Sequence, residues 1–190
     1  MGLIADTLTL KCKNDVYFPR EDSFLLAEAV EKHTRGKVLD LGTGSGIQGI
    51  VAAKKGCDVT FSDIDTEAIK CAEENAKTNG VNGRFLKSDM FSNITGAFDA
   101  IIFNPPYLPS KPIQSMKENK IQRALDGGKE GRELIESFLE KYKGFLDKGG
   151  IALLLESGHN HYEKDIATKG AQLLFKKHYF FEDLVVLLLY

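Results

Sequence analysis

The sequence contains no tryptophan, only three cysteines and no strong excess of either charge. The cysteines are odd in number, far apart in the chain and form no Cys-x-x-Cys pair, which argues against a zinc ribbon or a disulfide framework. They are Cys12, Cys57 and Cys71. Free thiols in a reducing cytoplasm are the simplest interpretation. The formal net charge of −2 lacks the basic excess of proteins that hold nucleic acid by its backbone, so we do not expect a nucleic-acid partner.

Long hydrophobic runs are also missing. The sequence has no signal peptide and no apolar run of about eighteen residues, so we expect a cytoplasmic protein without a membrane span. With 190 residues, 43% of them hydrophobic, the chain is long enough for a sizeable core. We expect a single domain over residues 1–190, with residues 1–36 forming an N-terminal segment and a first helix that pack on it.

The pattern of apolar residues predicts alternating strands and helices, and therefore an α/β fold with a parallel sheet covered on both faces. The last two strands are joined by a brief turn at Glu182-Asp183 and must be antiparallel. A strand or hairpin is possible over Met1–Asp15, and Asp22 or Ser23 is expected to cap a first helix that Gly36 terminates. The predicted strands are 37–41, 59–62, 83–86, 100–103, 151–155, 171–181 and 184–190, and the later helices are 47–56, 66–80, 130–148 and 159–168.

A glycine loop follows the first strand and reads Asp40-Leu-Gly-Thr-Gly-Ser-Gly46. It is G-x-G-x-G and not the G-x-G-x-x-G of dinucleotide sites, and Asp40 before it would repel a pyrophosphate. The next two strands also end in acids. Asp63 can accept ribose hydroxyls, and Asp89 can accept an adenine amino group. The ligand implied is a positively charged nucleoside without phosphates, which describes S-adenosylmethionine.

The stretch Phe98-Asp-Ala-Ile-Ile-Phe-Asn-Pro-Pro-Tyr107 predicts a buried strand that stops at two prolines. Asn104 precedes a proline and is pushed out of the helical region. The result is a stiff corner that offers an amide side chain, carbonyl groups and the ring of Tyr107. Such a corner can hold a flat group that carries an N–H donor.

The glycine loop, the three acids and Asn-Pro-Pro-Tyr resemble class I S-adenosylmethionine-dependent N-methyltransferases. Two further marks are Tyr17-x-Pro-x-Glu-Asp-Ser-Phe24 and Gly127-Gly-Lys-Glu-Gly-Arg132. With them, the chain is similar to the HemK-type glutamine methyltransferases of release factors, in their short archaeal and eukaryotic form. This resemblance implies a Rossmann-like sheet of seven strands in the order 3-2-1-4-5-7-6, with strand 7 antiparallel. Asp126 departs from the pattern of the eukaryotic members, which leaves substrate choice at this loop open.

The resemblance also implies a role for each matched residue. Asn104 and the carbonyl of Pro105 would accept the two hydrogens of the target nitrogen, and Tyr107 would pack on the target amide. The residues implied in cofactor binding are Ser23 and Asp40 near the methionyl part, Gly42, Gly44 and Gly46 in the loop, Asp63 at the ribose, Asp89 at the adenine, and Asn104. No metal is expected, because His159 and His161 have no visible further ligands.

The function that this pattern favours is methylation of the glutamine in the Gly-Gly-Gln loop of a class-1 release factor. Methylation of an exocyclic base nitrogen, methylation of a protein lysine and a non-catalytic binding role are the alternatives. The lysine-containing stretch Leu108–Lys129 is interpreted as a substrate-facing loop, although its lysines can equally be simple solvated charges. The third strand, near Gly83–Leu86, should be a sheet edge, and the resemblance implies that a small zinc-binding activator protein pairs there.

Overall fold

A mixed sheet of seven strands in the order β3-β2-β1-β4-β5-β7-β6 forms the centre of the molecule. The computed structural model describes residues 2–13, 16–108, 127–128, 131–179 and 182–190. The strands are β1 Lys37–Leu41, β2 Asp58–Asp63, β3 Arg84–Lys87, β4 Phe98–Phe103, β5 Leu146–Ser157, β6 Gln172–Tyr179 and β7 Glu182–Leu189. The helices are α1 Glu21–His33, α2 Ile47–Lys54, α3 Thr66–Thr78, α4 Glu133–Lys141 and α5 Tyr162–Lys169.

The pairing of the strands confirms the predicted topology. Strands β1 to β5 run parallel, whereas β7 is antiparallel to both β5 and β6. The carboxyl ends of β1, β2, β3 and β4 therefore meet at one edge, where ligands bind in open α/β sheets. The apolar side chains of β1 and β4 alternate between two cores, one under α1, α2 and α3 and one under α4 and α5.

Several element boundaries differ from their predictions, and at the start of β5 strand pairing overrode the helical periodicity. The helix predicted over residues 130–148 ends as α4 at Lys141, and a 3-10 turn over Tyr142–Phe145 leads into β5. Leu146 pairs with Phe98 of β4, which explains why β5 begins five residues early. Glu182 and Asp183 lie within β7 and not in a turn. The predicted helix over 159–168 is divided into a 3-10 turn, Gly158–Asn160, and α5.

The N-terminal segment contains a 3-10 turn, Ile4–Thr7, and none of its described residues forms the short strand or hairpin that the sequence pattern allowed. Side chains of α3 hold its backbone instead. Asn79 exchanges two hydrogen bonds with the backbone of Thr9, and the side-chain oxygen of Asn75 accepts from the backbone N–H of Lys11 at 2.9 Å. Cys71 lies on the same face, with its Sγ 3.6 Å from that of Cys12.

The first helix also differs from its prediction. Arg20 is the N-cap of α1 and provides no side-chain cap, while Asp22 and Ser23 lie in the first turn. The helix ends at His33, before Gly36, where the Thr34 hydroxyl donates to the carbonyl of Val30. The stretch Leu108–Lys129 lies outside the described residues apart from Leu108, Gly127 and Gly128.

Candidate active site

The acids and the glycine loop that end the first strands line one cavity of about 640 Å³. Gly46, Pro105 and Tyr107 are not among its lining residues, although Pro106 is. The predicted site residues that line it are Ser23, Asp40, Gly42, Gly44, Asp63, Asp89 and Asn104. The structure thus brings together groups that are spread over eighty residues of sequence.

The glycines of the loop have different tasks. Gly46 is the N-cap of α2, and a Cβ there would come within 3.0 Å of the Cα of Ala72, so this glycine lets α2 approach α3. Gly44 has a φ of +52° and open space where a Cβ would point. Of the two, Gly44 lines the cavity and leaves open space there, so a ligand can approach its backbone closely.

Asp40 fastens the glycine loop to α2. Its Oδ2 accepts hydrogen bonds from the Thr43 hydroxyl at 2.6 Å and from the backbone N–H of Gly49 at 2.9 Å. Burial raises the pKa of this carboxyl to about 7, against the opposing effect of those two hydrogen bonds. Asp40 therefore shapes the loop as well as lining the cavity.

Asp63 links the end of β2 to the same loop. One carboxylate oxygen accepts from the backbone N–H of Gly44 at 3.0 Å and the other from that of Asp65 at 2.9 Å. Burial raises its pKa. Each oxygen can accept a second hydrogen bond, so the carboxylate can still bind hydroxyl groups. Asp89 is more exposed and sits on the turn after β3, where the Ser88 hydroxyl donates to the carbonyl of Met90.

Asn104 directly follows β4. The NH₂ group of its side-chain amide is hydrogen-bonded, whereas the oxygen is not. Its Nδ2 donates to Oδ2 of Asp22 at 3.0 Å. Its Oδ1 is buried and has no hydrogen-bond partner within the part of the chain that the structure describes. An unpartnered buried acceptor is costly, and here it belongs to a residue that lines the cavity. The site therefore contains an acceptor that an N–H group of a ligand can satisfy.

Tyr107 is 7% exposed and packs in the core beneath α1. Burial raises the pKa of its hydroxyl, and the nearby carboxylates of Asp22 and Glu182 raise it further. Its backbone carbonyl accepts from the Nδ2 of Asn160 at 2.9 Å, and that Nδ2 also donates to the carbonyl of Gly131 at 3.0 Å. Asn160 thus holds the end of Asn-Pro-Pro-Tyr against the start of α4.

A buried charge cluster supports that junction. The guanidinium of Arg132 makes two hydrogen bonds to the carboxylate of Asp165, at 2.9 and 3.0 Å, and donates to the carbonyl of Asn160. Glu156 lies 3.4 Å from the same guanidinium and is fully buried. The backbone N–H of Gly127 donates to the carbonyl of Leu108 at 2.8 Å, which closes the two ends of the intervening segment.

Sequence reasoning missed the roles of Asp22, Asn160 and Arg132. Asp22 looked like a helix cap, and Arg132 was only part of a motif. For Asp22, the motif from Tyr17 to Phe24 was the available signal. An aspartate that only caps a helix does not need a tyrosine and a serine beside it, so this motif indicated a further role. Among the described residues, no group of three or more His, Cys, Asp or Glu could hold a metal ion.

The model of the "Methyltransferase small domain" family matches residues 20–178. This chain is a member of that family. As a methyltransferase of this kind it uses S-adenosylmethionine, and the acid-lined cavity around an open glycine fits a cationic nucleoside. No helix in the described part of this methyltransferase is long and apolar enough to cross a membrane.

Similar proteins include methyltransferases that act on protein and on RNA. The putative protein N5-glutamine methyltransferase MJ0928 of Methanocaldococcus jannaschii is 41% identical over 170 residues, which cover 89% of this chain and 85% of that protein. Methyltransferase HEMK2 of Homo sapiens is 32% identical, with 84% and 81% covered. Release factor glutamine methyltransferase of Lactococcus lactis is 33% identical, with 80% and 59% covered. Ribosomal RNA small subunit methyltransferase C of Enterobacter sp. is 32% identical, with 88% and 52% covered.

Among solved structures, a methyltransferase from Pyrococcus furiosus has a TM-score of 0.70 at 20% identity, covering 96% of this chain and 89% of that one. At this identity the likeness speaks for the fold alone. It agrees with the seven-stranded sheet in which β7 is antiparallel. The fold is therefore the one that the sequence predicted, and the assignment to the methyltransferases rests on the family match and the similar proteins.

Proposed function

We propose that this methyltransferase acts on the side-chain amide of the glutamine in the Gly-Gly-Gln loop of a class-1 translation release factor. The observation that carries the proposal is the orphan Oδ1 of Asn104 beside the cavity. A primary amide has two N–H donors, and the corner after β4 offers Oδ1 of Asn104 and the carbonyl of Pro105 as acceptors. Relatives named for glutamine methylation support this choice of target.

The chemistry follows from the weakness of the nucleophile. The lone pair of an amide nitrogen is shared with its carbonyl group. Two acceptors that hold both N–H bonds favour a pyramidal nitrogen and aim its lone pair at the reacting carbon, which is catalysis by orientation. When bound, S-adenosylmethionine would supply an electrophilic methyl group, whose bond to sulfur breaks as the N–C bond forms, so that S-adenosylhomocysteine is the leaving group. No base is needed before attack, because the nitrogen can lose its proton after the new N–C bond has formed.

The cofactor would be held by the residues that line the cavity. Asp63 would accept the ribose hydroxyls and Asp89 the adenine amino group. Gly42 and Gly44 would lie against the cofactor, while Ser23 and Asp40 would lie near its methionyl part. The predicted contact of Tyr107 with the target amide is retained as part of the proposal, although only 7% of this residue is exposed.

A nucleic-acid substrate fits the site less well. The carboxylates of Asp22 and Glu182 lie close enough to Tyr107 to raise the pKa of its hydroxyl. Acidic groups repel the phosphates of RNA and DNA, and the chain has no basic excess to offset them. Lysine methylation remains the closer competitor, since an ammonium group also offers N–H donors.

The test is transfer of labelled methyl from S-adenosylmethionine into a cognate release factor, total RNA and total DNA. The expected product is N-methylglutamine in the release factor, and no label when the loop glutamine is replaced by asparagine. Label on lysine or on nucleic acid would replace the proposed target by the corresponding alternative. Since the substrate and a reducing environment are both cytoplasmic, we expect the enzyme to act there.

We further propose that a small zinc-binding activator protein pairs with β3. This strand lies at one end of the sheet and pairs only with β2 among the described strands, which leaves one side of its backbone open. Phe85 stacks on Phe61 with ring centroids 4.7 Å apart, so it is half-buried and adds less apolar surface than the sequence predicted. The open backbone edge is the feature that a partner strand would use.

Hydrogen exchange distinguishes this edge from the opposite one. Addition of the activator should protect the amides of β3, Arg84–Lys87, while β6, Gln172–Tyr179, serves as the control edge within the same molecule. Co-expression with the activator should also raise soluble yield and methyl transfer, and Phe85→Glu should weaken the pairing. Unchanged exchange at β3 together with full activity of the chain alone would contradict the proposal.

A further inference from the structure

The amide of Asn104 can present either of two atoms to the cavity, and they have opposite chemistry. Its oxygen accepts hydrogen bonds, whereas its NH₂ group donates them. A target amide nitrogen needs acceptors, so only one of the two orientations, related by a flip of about 180° around the terminal bond of the side chain, can hold it. Something in the protein must therefore select the orientation.

Asp22 is the group that selects it. Its Oδ2 lies 3.0 Å from Nδ2 of Asn104. In the flipped amide, Oδ1 of Asn104 would face this carboxylate oxygen, and two acceptors would be in repulsive contact. Asp22 thus commits the NH₂ group of Asn104 to itself and leaves Oδ1 as the open acceptor, which is the atom found without a described partner.

The carboxylate of Asp22 is itself held in place. Its Oδ1 accepts from the hydroxyl of Tyr17 at 3.1 Å and from that of Ser23 at 3.2 Å. The residue is 4% exposed and takes part in no ion pair among the described residues. Within the described ranges its contacts are three hydrogen-bond donors, the Tyr17 and Ser23 hydroxyls and the Asn104 amide, and a carboxylate that accepts from the amide polarises it. A polarised amide is the stronger acceptor at its oxygen.

We infer that Asp22 is a positioning residue for methyl transfer, which orients Asn104 and strengthens its Oδ1 as an acceptor for the target nitrogen. This inference rests on the proposed function for its effect on catalysis. It explains why an aspartate inside the first turn of α1, too far into the helix to cap it, is surrounded by Tyr17 and Ser23. Its two consequences, one on the amide and one on the rate, can be measured separately.

The amide is tested first, without any substrate. In the ¹⁵N spectrum of the protein, the side-chain NH₂ of Asn104 should exchange slowly with solvent, because it is bound to a buried carboxylate. Asp22→Ala should accelerate this exchange about tenfold or more, whereas Glu21→Gln, a change in the neighbouring exposed carboxylate, should leave it unchanged. Equal exchange in the parent and in Asp22→Ala would overturn the assignment of the contact.

The rate is tested next with the release factor. Loss of a hydrogen bond to a charged group should lower kcat by about 10- to 100-fold, with the dissociation constant of S-adenosylmethionine little changed. Asp22→Asn keeps the shape and one hydrogen bond but loses the charge, so its kcat should lie between those of the parent and Asp22→Ala. Glu21→Gln is again the control.

Exchanging the side chains of Asp22 and Asn104 tests whether a loss of activity comes from the lost contact or from misfolding. Asn104→Asp places two carboxylates in contact and should remove activity. The double variant Asp22→Asn, Asn104→Asp restores a donor opposite an acceptor and again leaves an oxygen open, so its kcat should exceed that of Asn104→Asp at least tenfold. A double variant no faster than Asn104→Asp would overturn the inference. Slow NH₂ exchange in a protein that methylates no release factor would leave the contact intact and refute the proposed function.

Discussion

At the scale of single residues, Asn104 connects the cavity at the end of β4 with the first turn of α1. It ends the buried strand β4, lines the cavity and is bound through its NH₂ group to the first turn of α1. The buried strand positions its backbone and Asp22 determines the orientation of its amide. In the proposed mechanism, the Oδ1 atom of Asn104 is therefore the acceptor whose orientation the protein controls.

Replacing Asn104 by alanine removes that atom with little effect on the core. We expect Asn104→Ala to retain its melting temperature within a few degrees and its affinity for S-adenosylmethionine. Its kcat should fall at least about 100-fold, the loss typical when a group that orients the reacting atoms is removed. Steady-state kinetics with the release factor, alongside calorimetric titration of the cofactor, measures both. Near-parental kcat would refute the mechanism.

Asp40 predicts a pH dependence of stability. Burial raises its pKa from 3.8 to about 7 in the folded protein, so the folded state retains a proton that the unfolded state has lost. The corresponding contribution to stability is fully present below pH 3.8 and is lost as the pH rises through 7. Asp40→Asn can still accept from Thr43 and Gly49 but does not titrate.

The free energy of unfolding, measured with urea at several values between pH 4 and pH 8, tests this. Relative to Asp40→Asn, the parent should lose stability as the pH rises across this range, by at most about 1.4 kcal/mol per pH unit for one proton. Parallel curves for the two proteins would show that Asp40 titrates alike in both states.

At the scale of elements, the junction of β4, α4 and β5 depends on one buried cation. Arg132 precedes α4 and contacts Asp165 of α5, Glu156 of β5 and the carbonyl of Asn160. Burial raises the pKa of Glu156, and the nearby Asp165 raises it further while Arg132 opposes them. Without Arg132, two buried carboxyl groups would face each other without a cation.

Arg132→Met should therefore lower the free energy of unfolding by about 3–5 kcal/mol. Glu136→Gln is the matched control, because the side chain of Glu136 is 54% exposed and its 3.4 Å contact with Arg132 is a surface one, worth less than about 1 kcal/mol. Urea denaturation at neutral pH compares the two. Equal losses in both variants would show that the buried part of the cluster contributes nothing.

The elements were also the level at which the sequence was most informative. Strands β1 and β4 were predicted within two residues because their apolar runs end at a glycine loop and at two prolines. The end of α4 was wrong because Phe145 and Leu146 continue its helical periodicity, whereas the pairing of Leu146 with Phe98 decides their conformation. The motif from Tyr17 to Phe24 pointed to Asp22, but the contact of Asp22 with Asn104 could not be predicted, since the two residues are 82 positions apart.

At the scale of the whole molecule, cofactor binding should be visible as stability. S-adenosylmethionine that binds only the folded chain raises the melting temperature by mass action. Asp63→Asn should remove most of this rise, because a neutral amide accepts hydroxyl hydrogens more weakly than a carboxylate does. Thermal unfolding with and without the cofactor tests this.

The control for that experiment is Asp58→Asn, an exposed carboxylate at the opposite end of β2 that does not line the cavity, and it should keep the full rise. If Asp63→Asn bound as well as the parent, the ribose site would lie elsewhere in the cavity.

The hydrogen bond between Gly127 and Leu108, together with the bridge from Asn160, has an evolutionary consequence. It holds Leu108 and Gly127, the described residues on either side of positions 109–126, next to each other and close to Tyr107. Between fixed ends, doubling the length of a connecting segment changes its closure free energy by only about 0.6 kcal/mol. The length-dependent part of the closure free energy is therefore small, and evolution can change the number of residues between Leu108 and Gly127 at little cost in that term.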